Sequence, residues 1–300
     1  MPIAESTVHF NPNNLIILNV ILSLVMFGMA LELKKDDFTS LIKNKKSAAV
    51  GLLVHFFLLP LLTFGLVKVL HPPPAVALGM ILVGACPGGN MSNMFTYMAK
   101  GNTVLAVGLT SVSHLLAVVF TPLNFSIYGS FDAGTAALLR EIHLSVSEIL
   151  STVIIVVGIP LLAGMLLQYY SPALSSKIVP YAKRFALLAF AFFLVAAILA
   201  NKQVFIENIP AVLLLVVVHN AVALFAGYAI AKLAGLHEKD VRTITFETGV
   251  QNSGLGLILI FTFFNGMLGM AIIAAMWGVW HLISGGLLAW FWSKKPLPVQ

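Results

Sequence analysis

The sequence predicts an all-α polytopic membrane protein of nine transmembrane helices, and three observations carry that prediction. First, only 28 of 300 residues are charged, 17 Lys+Arg and 11 Asp+Glu, and the mean hydropathy is +0.99. Soluble domains carry roughly 25% charged residues, so this chain cannot build the polar shell of a soluble enzyme. Second, apolar stretches recur near the ~20-residue length that a spanning helix needs. Third, the basic residues sort to alternate connections, as topology signals do. The net charge of +6 lies at the ends of apolar spans rather than in a basic run, which excludes a nucleic-acid partner and points to the lipid bilayer. A single cysteine, Cys86, excludes an intrachain disulfide and a Cys-built zinc site.

The spans read 15–33, 48–70, 75–99, 103–126, 144–169, 185–201, 210–234, 243–264 and 267–292. Turn and breaker residues join them, among them His71-Pro72-Pro73-Pro74, Lys100-Gly101-Asn102 and Asn265-Gly266. Residues 1–14 hold no Lys or Arg and do not resemble a cleavable leader. Fourteen of the 17 basic residues fall on one side: Lys34, Lys35, Lys43, Lys45, Lys46, Lys100, Lys177, Lys183, Arg184, Lys232, Lys239, Arg242, Lys294 and Lys295. Lys68, Arg140 and Lys202 remain for the other. The expected placement is the cell (inner) membrane, with the N-terminus outside and the C-terminus cytoplasmic. Lys34 to Asp37 and Arg140-Glu141 read as solvated loop charges.

An internal repeat crosses this pattern. Val54-His55 is followed by Lys68, and Val218-His219 by Lys232, at the same spacing. His114-Leu115-Leu116 matches His281-Leu282-Ile283. Between each His pair lies a span interrupted by Gly, Asn and Ser, at 86–93 and at 249–256. Matching interruptions in oppositely directed halves are the signature of an inverted-repeat transporter.

The first interruption reads Cys86-Pro87-Gly88-Gly89-Asn90-Met91-Ser92-Asn93. Pro removes a backbone donor and paired Gly weakens a helix. Such a break in a bilayer needs a cavity, an ion or a packed neighbour to satisfy its carbonyls. The second reads Glu247-Thr248-Gly249-Val250-Gln251-Asn252-Ser253-Gly254. Glu247 is the one carboxylate well inside the apolar stretches, whereas Glu148 lies nearer an outer end. A charge at membrane depth costs at least ~2.5–3.5 kcal/mol on insertion scales and points to function. With Gln251, Asn252 and Ser253 it offers the oxygens a hard cation such as Na⁺ requires, although an interhelical hydrogen bond is the competing role. His55, His114, His219 and His281 lie near mid-span, as interhelical partners or proton relays.

These strings resemble the bile acid:sodium symporter family over nearly the whole chain. The matching residues are Leu82-Val83-Gly84 through Ser92-Asn93, Thr96-Tyr97, Gly101-Asn102, Met26-Phe27-Gly28-Met29 and His219-Asn220. Glu247-x-Gly249-x-Gln251-Asn252-Ser253-Gly254-Leu255 is the most specific. The resemblance implies a single membrane unit over 1–300 with two crossing broken helices. Its panel would be 15–33, 144–169 and 185–201, and its core 48–126 and 210–292. It implies one sodium site at Ser92, Asn93, Thr110 and Glu247. A second would use Gln251 and Glu247 with backbone oxygens of Thr248 and Val250. Substrate would meet Asn90, Asn252, Ser253, His281 and His219. The chain departs from the family pattern at His55, where a Gln ligand is usual, and at Ala106, where a hydroxyl is usual. It departs again at Asn90, often Thr, and at Leu282, often Asn. One or two sodium ions are therefore expected.

The expected function is a cation-coupled symporter, with sodium as the expected cation, carrying an organic anion such as a bile acid-like steroid or small carboxylate. It is not expected to be an enzyme. Three other readings stay open: a proton-coupled or sodium-independent carrier using His55, an arsenite-efflux-type carrier using the Cys86 thiolate, and an intramembrane serine hydrolase pairing Ser253 with His219 or His281. Ser253 lacks the Gly-x-Ser-x-Gly elbow of such nucleophiles.

Overall fold

The computed structural model describes residues 14–141, 154–200 and 202–296. Among the described residues every regular element is a helix, and the only β-type pairing is one isolated bridge. In chain order the helices are α1 (Asn14–Ala30), α2 (Lys35–Lys43), α3 (Lys45–Leu70), α4 (Pro74–Ala85), α5 (Met91–Met98), α6 (Thr103–Ser130) and α7 (Ala133–Glu141). They continue with α8 (Ile154–Tyr170), α9 (Pro172–Ala200), α10 (Lys202–Leu233), α11 (Glu238–Gly249), α12 (Ser253–Phe263) and α13 (Leu268–Ser293). Among the described residues four stretches are long and apolar enough to cross a membrane: Lys45–Leu70, Thr103–Ser130, Ile209–Leu233 and Leu268–Ser293. Residues 144–153 of the fifth expected span, Glu148 among them, lie outside the described residues.

The polar interruptions divide helices where they were expected. Pro87-Gly88-Gly89 separates α4 from α5, and Val250-Gln251-Asn252 separates α11 from α12. Each divided pair follows one long helix and precedes another: α3 and α6 flank the first, α10 and α13 the second. Two prolines leave milder marks. Pro60 has no N–H to give and its ring crowds the carbonyl four residues back, and the turn Val54–Leu58 just before it widens to a π-helix. Pro160 follows the same kind of turn at Ile154–Gly158.

Two stretches differ from the expected loops. Lys34 to Asp37 opens α2 rather than a solvated loop, because the Asp37 carboxylate accepts the Lys34 N–H at 2.9 Å and caps the first turn. Arg140 and Glu141 close α7, whose N-cap Asp132 accepts from Gly134 N at 3.0 Å and Thr135 N at 3.3 Å. Both helices are too short to span a bilayer.

The core lies along α4 and α13, with α12 packed against them. Gly79 lets α4 sit against the backbone of α13, where a Cβ would stand 2.8 Å from Met270 Cα. At the other end of the divided pairs, Arg242 is only 2% exposed. Its guanidinium donates to the carbonyls of Ala99 at 2.7 Å and Trp292 at 3.1 Å. Those carbonyls belong to the ends of α5 and α13, where a helix leaves acceptors and partial negative charge. Asp240 beside it accepts from Ser47 at 2.6 Å and Asn102 at 2.8 Å. This polar clamp joins α3, α5, α6, α11 and α13.

Candidate functional site

The two interruptions meet. Gly88 and Gln251 form an antiparallel bridge, with Gly89 N donating to Val250 O at 2.7 Å and Asn252 N donating to Pro87 O at 2.8 Å. In hydrocarbon every freed carbonyl needs a donor, and the partners can be followed one by one. Ala85 O accepts the Thr121 hydroxyl at 2.7 Å, and Cys86 O lies 3.1 Å from His55 Nε2. Gly249 O accepts Asn220 Nδ2 at 2.7 Å, and Thr248 O accepts Gln251 Nε2 at 2.7 Å. The breaks are thus built features, held open by side chains from α3, α6 and α10.

Glu247 stands at this junction, 2% exposed. Its Oε2 accepts the Ser92 hydroxyl at 2.6 Å and the Thr110 hydroxyl at 3.0 Å. Thr110 also reaches Asn93 Oδ1 at 3.2 Å and Ala106 O at 3.0 Å. Glu247 Oε1 has no hydrogen-bond partner, and neither has the buried Gln251 Oε1. Among the described residues no Lys or Arg pairs with Glu247. A Cβ on Gly88 would overlap Glu247 Oε1, so the glycine keeps the space in front of that oxygen clear. A buried carboxylate with one bare oxygen and two hydroxyls against the other, at a junction that also holds the bare amide oxygen of Gln251, offers donors that suit a hard cation.

Two cavities flank the junction and share Met29 and Asn90. One, of about 250 Å³, is lined by Asn90, Gln251, Asn252, Ser253 and His281 together with Val25, Leu187, Ile258 and Leu282. The other, of about 340 Å³, is lined by Asn93, Thr110, Ser111 and His114, with Glu32 and Lys183 paired at 2.8 Å in its wall. The structure therefore brings Ser92, Asn93, Thr110, Glu247 and Gln251 together, and places Asn90, Asn252, Ser253 and His281 around one cavity. His219 stands apart from both. It is paired with Thr63 Oγ1 at 2.7 Å and rests edge-on against Trp277. Thr248 and Val250 offer their backbone oxygens to Gln251 Nε2 and Gly89 N. His55 turns Nε2 toward Cys86 O while its Nδ1 has no partner, and Ala106 contributes its carbonyl to Thr110.

Two of the other readings, the Cys86 carrier and the Ser253 hydrolase, are not favoured by the described residues. Among the described residues no group of three His, Cys, Asp or Glu could hold a metal, and Cys86 is fully buried. No hydrogen bond joins Ser253 to His219 or His281; His219 is turned to Thr63 instead.

Thr121 and Asn220, which hold the carbonyls at the breaks, were not among the expected site residues. The one signal in the sequence was a lone polar side chain in mid-span; its partner, a backbone carbonyl far along the chain, leaves no mark.

The model of the Sodium Bile acid symporter family matches residues 19–208. An uncharacterized sodium-dependent transporter of Bacillus subtilis (strain 168), YocS, is 32% identical over 278 residues, covering 93% of this chain and 83% of that protein. The probable sodium/metabolite cotransporter BASS1, chloroplastic, of Arabidopsis thaliana is 33% identical over 275 residues, covering 91% of this chain and 66% of its own. The ileal sodium/bile acid cotransporter of Homo sapiens is 28% identical over 242 residues, covering 80% and 67%.

Proposed function

The chain belongs to the Sodium Bile acid symporter family, and from that premise we propose that it is a secondary active symporter coupling sodium to uptake of an organic anion by alternating access. The observation that supports this most is the pair of bare, buried oxygens at the meeting of the breaks, Glu247 Oε1 and Gln251 Oε1. Sodium, as co-substrate, would take its place against Glu247 with Ser92, Asn93 and Thr110 on one side and Gln251 on the other. Neutralising Glu247 removes the main cost of closing the site against lipid.

The organic anion would occupy the cavity lined by Asn90, Asn252, Ser253 and His281. Both α5 and α12 begin at its wall, and helix N-termini favour a carboxylate. Its mixed lining of amides and aliphatic side chains suits a small carboxylate with an apolar body. A core of 48–126 and 210–292 would rock against a panel of 15–33, 144–169 and 185–201.

The test is uptake of a panel of radiolabelled organic anions into proteoliposomes under an inward sodium gradient, with choline as control. Sodium-driven uptake that Glu247→Ala and Gln251→Ala each abolish, with both variants still folded, is the expected result. Wild-type uptake by both variants would reject the site.

A further inference from the structure

His114 is the mid-span histidine that lines the cavity beside Thr110 and also reaches Asn252 at the second break. It lies on α6 one turn beyond Thr110, so the two share a face. Both side chains line the 340 Å³ cavity, and the Thr110 hydroxyl donates to Glu247 Oε2 at 3.0 Å. On its other side His114 Nε2 lies 3.4 Å from Asn252 Nδ2. An amide nitrogen has protons and no lone pair to offer, so Nε2 is the acceptor and the ring proton of the neutral imidazole sits on Nδ1.

Asn252 has two further attachments. Its Oδ1 caps α12 by accepting Leu255 N at 3.0 Å. Its Nδ2 also points to Met29 Sδ of α1 at 3.8 Å. One amide therefore lines the 250 Å³ cavity, holds the start of a half-helix and touches a helix of the opposite wall.

We propose that His114 is a positioning residue that transmits cation occupancy at Glu247 to the substrate cavity by holding Asn252. The inference rests on the sodium-coupled reading above and adds the route of coupling. The Thr110 hydroxyl has one proton and three acceptors in reach: Glu247 Oε2, Asn93 Oδ1 and Ala106 O. A cation on the carboxylate changes which of them it serves. Thr110 and the ring then shift together, and the ring carries Asn252 with it. Without the ring, Asn252 keeps its cap but is no longer tied to the cation side.

The experiment uses the full chain, purified in detergent, with Cys86→Ala and Leu282→Cys. Leu282 lines the cavity and is 42% exposed. The rate of labelling by a fluorescent maleimide is compared in sodium chloride and in choline chloride, beside the thermal shift that sodium induces. Sodium is expected to change the parent's labelling rate by about five-fold or more, the lower end of typical coupling between sites. His114→Leu and Asn252→Ser should each bring the ratio near one while keeping the sodium-induced thermal shift; Ser retains an N-cap oxygen but has no amide. His114→Gln, whose amide oxygen can accept from Asn252, should restore the ratio. Should His114→Leu not fold, Asn252→Ser and His114→Gln decide. An undiminished ratio in His114→Leu or Asn252→Ser, or a parent that sodium stabilises without altering its labelling, would overturn the relay. A parent that sodium does not stabilise at all would instead remove the sodium-coupled reading beneath it.

Discussion

At Glu247 the two carboxylate oxygens have different surroundings: hydroxyls of Ser92 and Thr110 hold Oε2, and nothing holds Oε1. Gly88 keeps that side clear of protein atoms, since a Cβ there would stand on the oxygen. Gly88→Ala is therefore expected to abolish the sodium response as completely as Glu247→Ala, measured as the sodium-induced rise in unfolding temperature; a retained response would mean the cation does not approach from that side. Glu247, Gln251 and Ser92 were legible in the sequence because polar groups in an apolar stretch stand out. His55, Thr121 and Asn220 were less so in their actual roles, since each serves a carbonyl in another helix. Asn220→Leu strands Gly249 O and removes the nearer acceptor, at 2.6 Å, of the Ser284 hydroxyl. An unsatisfied buried polar group costs about 1–3 kcal/mol, so this variant should unfold at a lower temperature in detergent with or without sodium.

At the scale of elements, the broken helices were readable from Pro, Gly and Asn placed in matching spans, and the structure divides the helices there. What composition did not reveal was their antiparallel contact at Gly88 and Gln251, because pairing between residues this far apart has no local signature. The short helices α2 and α7 were missed for a different reason. Their charges suggested loops, although Asp37 and Asp132 sit where helix caps belong. Asp132 also carries a testable pH dependence. The hydrogen bond from Lys68, at 2.6 Å, holds its carboxyl below its ordinary value of 3.8, against a smaller opposing effect of burial. A depressed folded value means that the stability it brings is full above the unfolded value and is lost as pH falls through the lower folded one. Asp132→Ala should cost roughly 0.5–2 kcal/mol as a lost cap at neutral pH. In acid, below the ordinary carboxylate range, the difference from wild type in unfolding temperature should shrink; a constant difference across that range would contradict the assignment.

For the molecule as a whole, the proposed orientation, with the C-terminus cytoplasmic, rests on fourteen of the 17 basic residues falling on one side of the expected spans. Lys35 is exposed at the start of α2 on that side, and His71 is exposed on the other, in the turn after α3. With Cys86 fully buried, a single cysteine at either position can be probed in intact cells. Lys35→Cys should resist an impermeant maleimide until the membrane is opened, whereas His71→Cys should react at once; the reverse pattern would invert the topology. Arg242 counted in the sequence only as a topology signal, yet it ties the ends of α5 and α13 together. Its second role depends on two carbonyls that no residue pattern announces.

A cation seated between the two breaks, against Glu247, is what every larger motion would depend on. Equilibrium binding of radioactive sodium to the purified wild-type protein and to Glu247→Ala tests it most directly. Saturable binding to the wild type that Glu247→Ala loses while remaining folded is the predicted result. Equal binding by the two proteins, or none by the wild type, would contradict it.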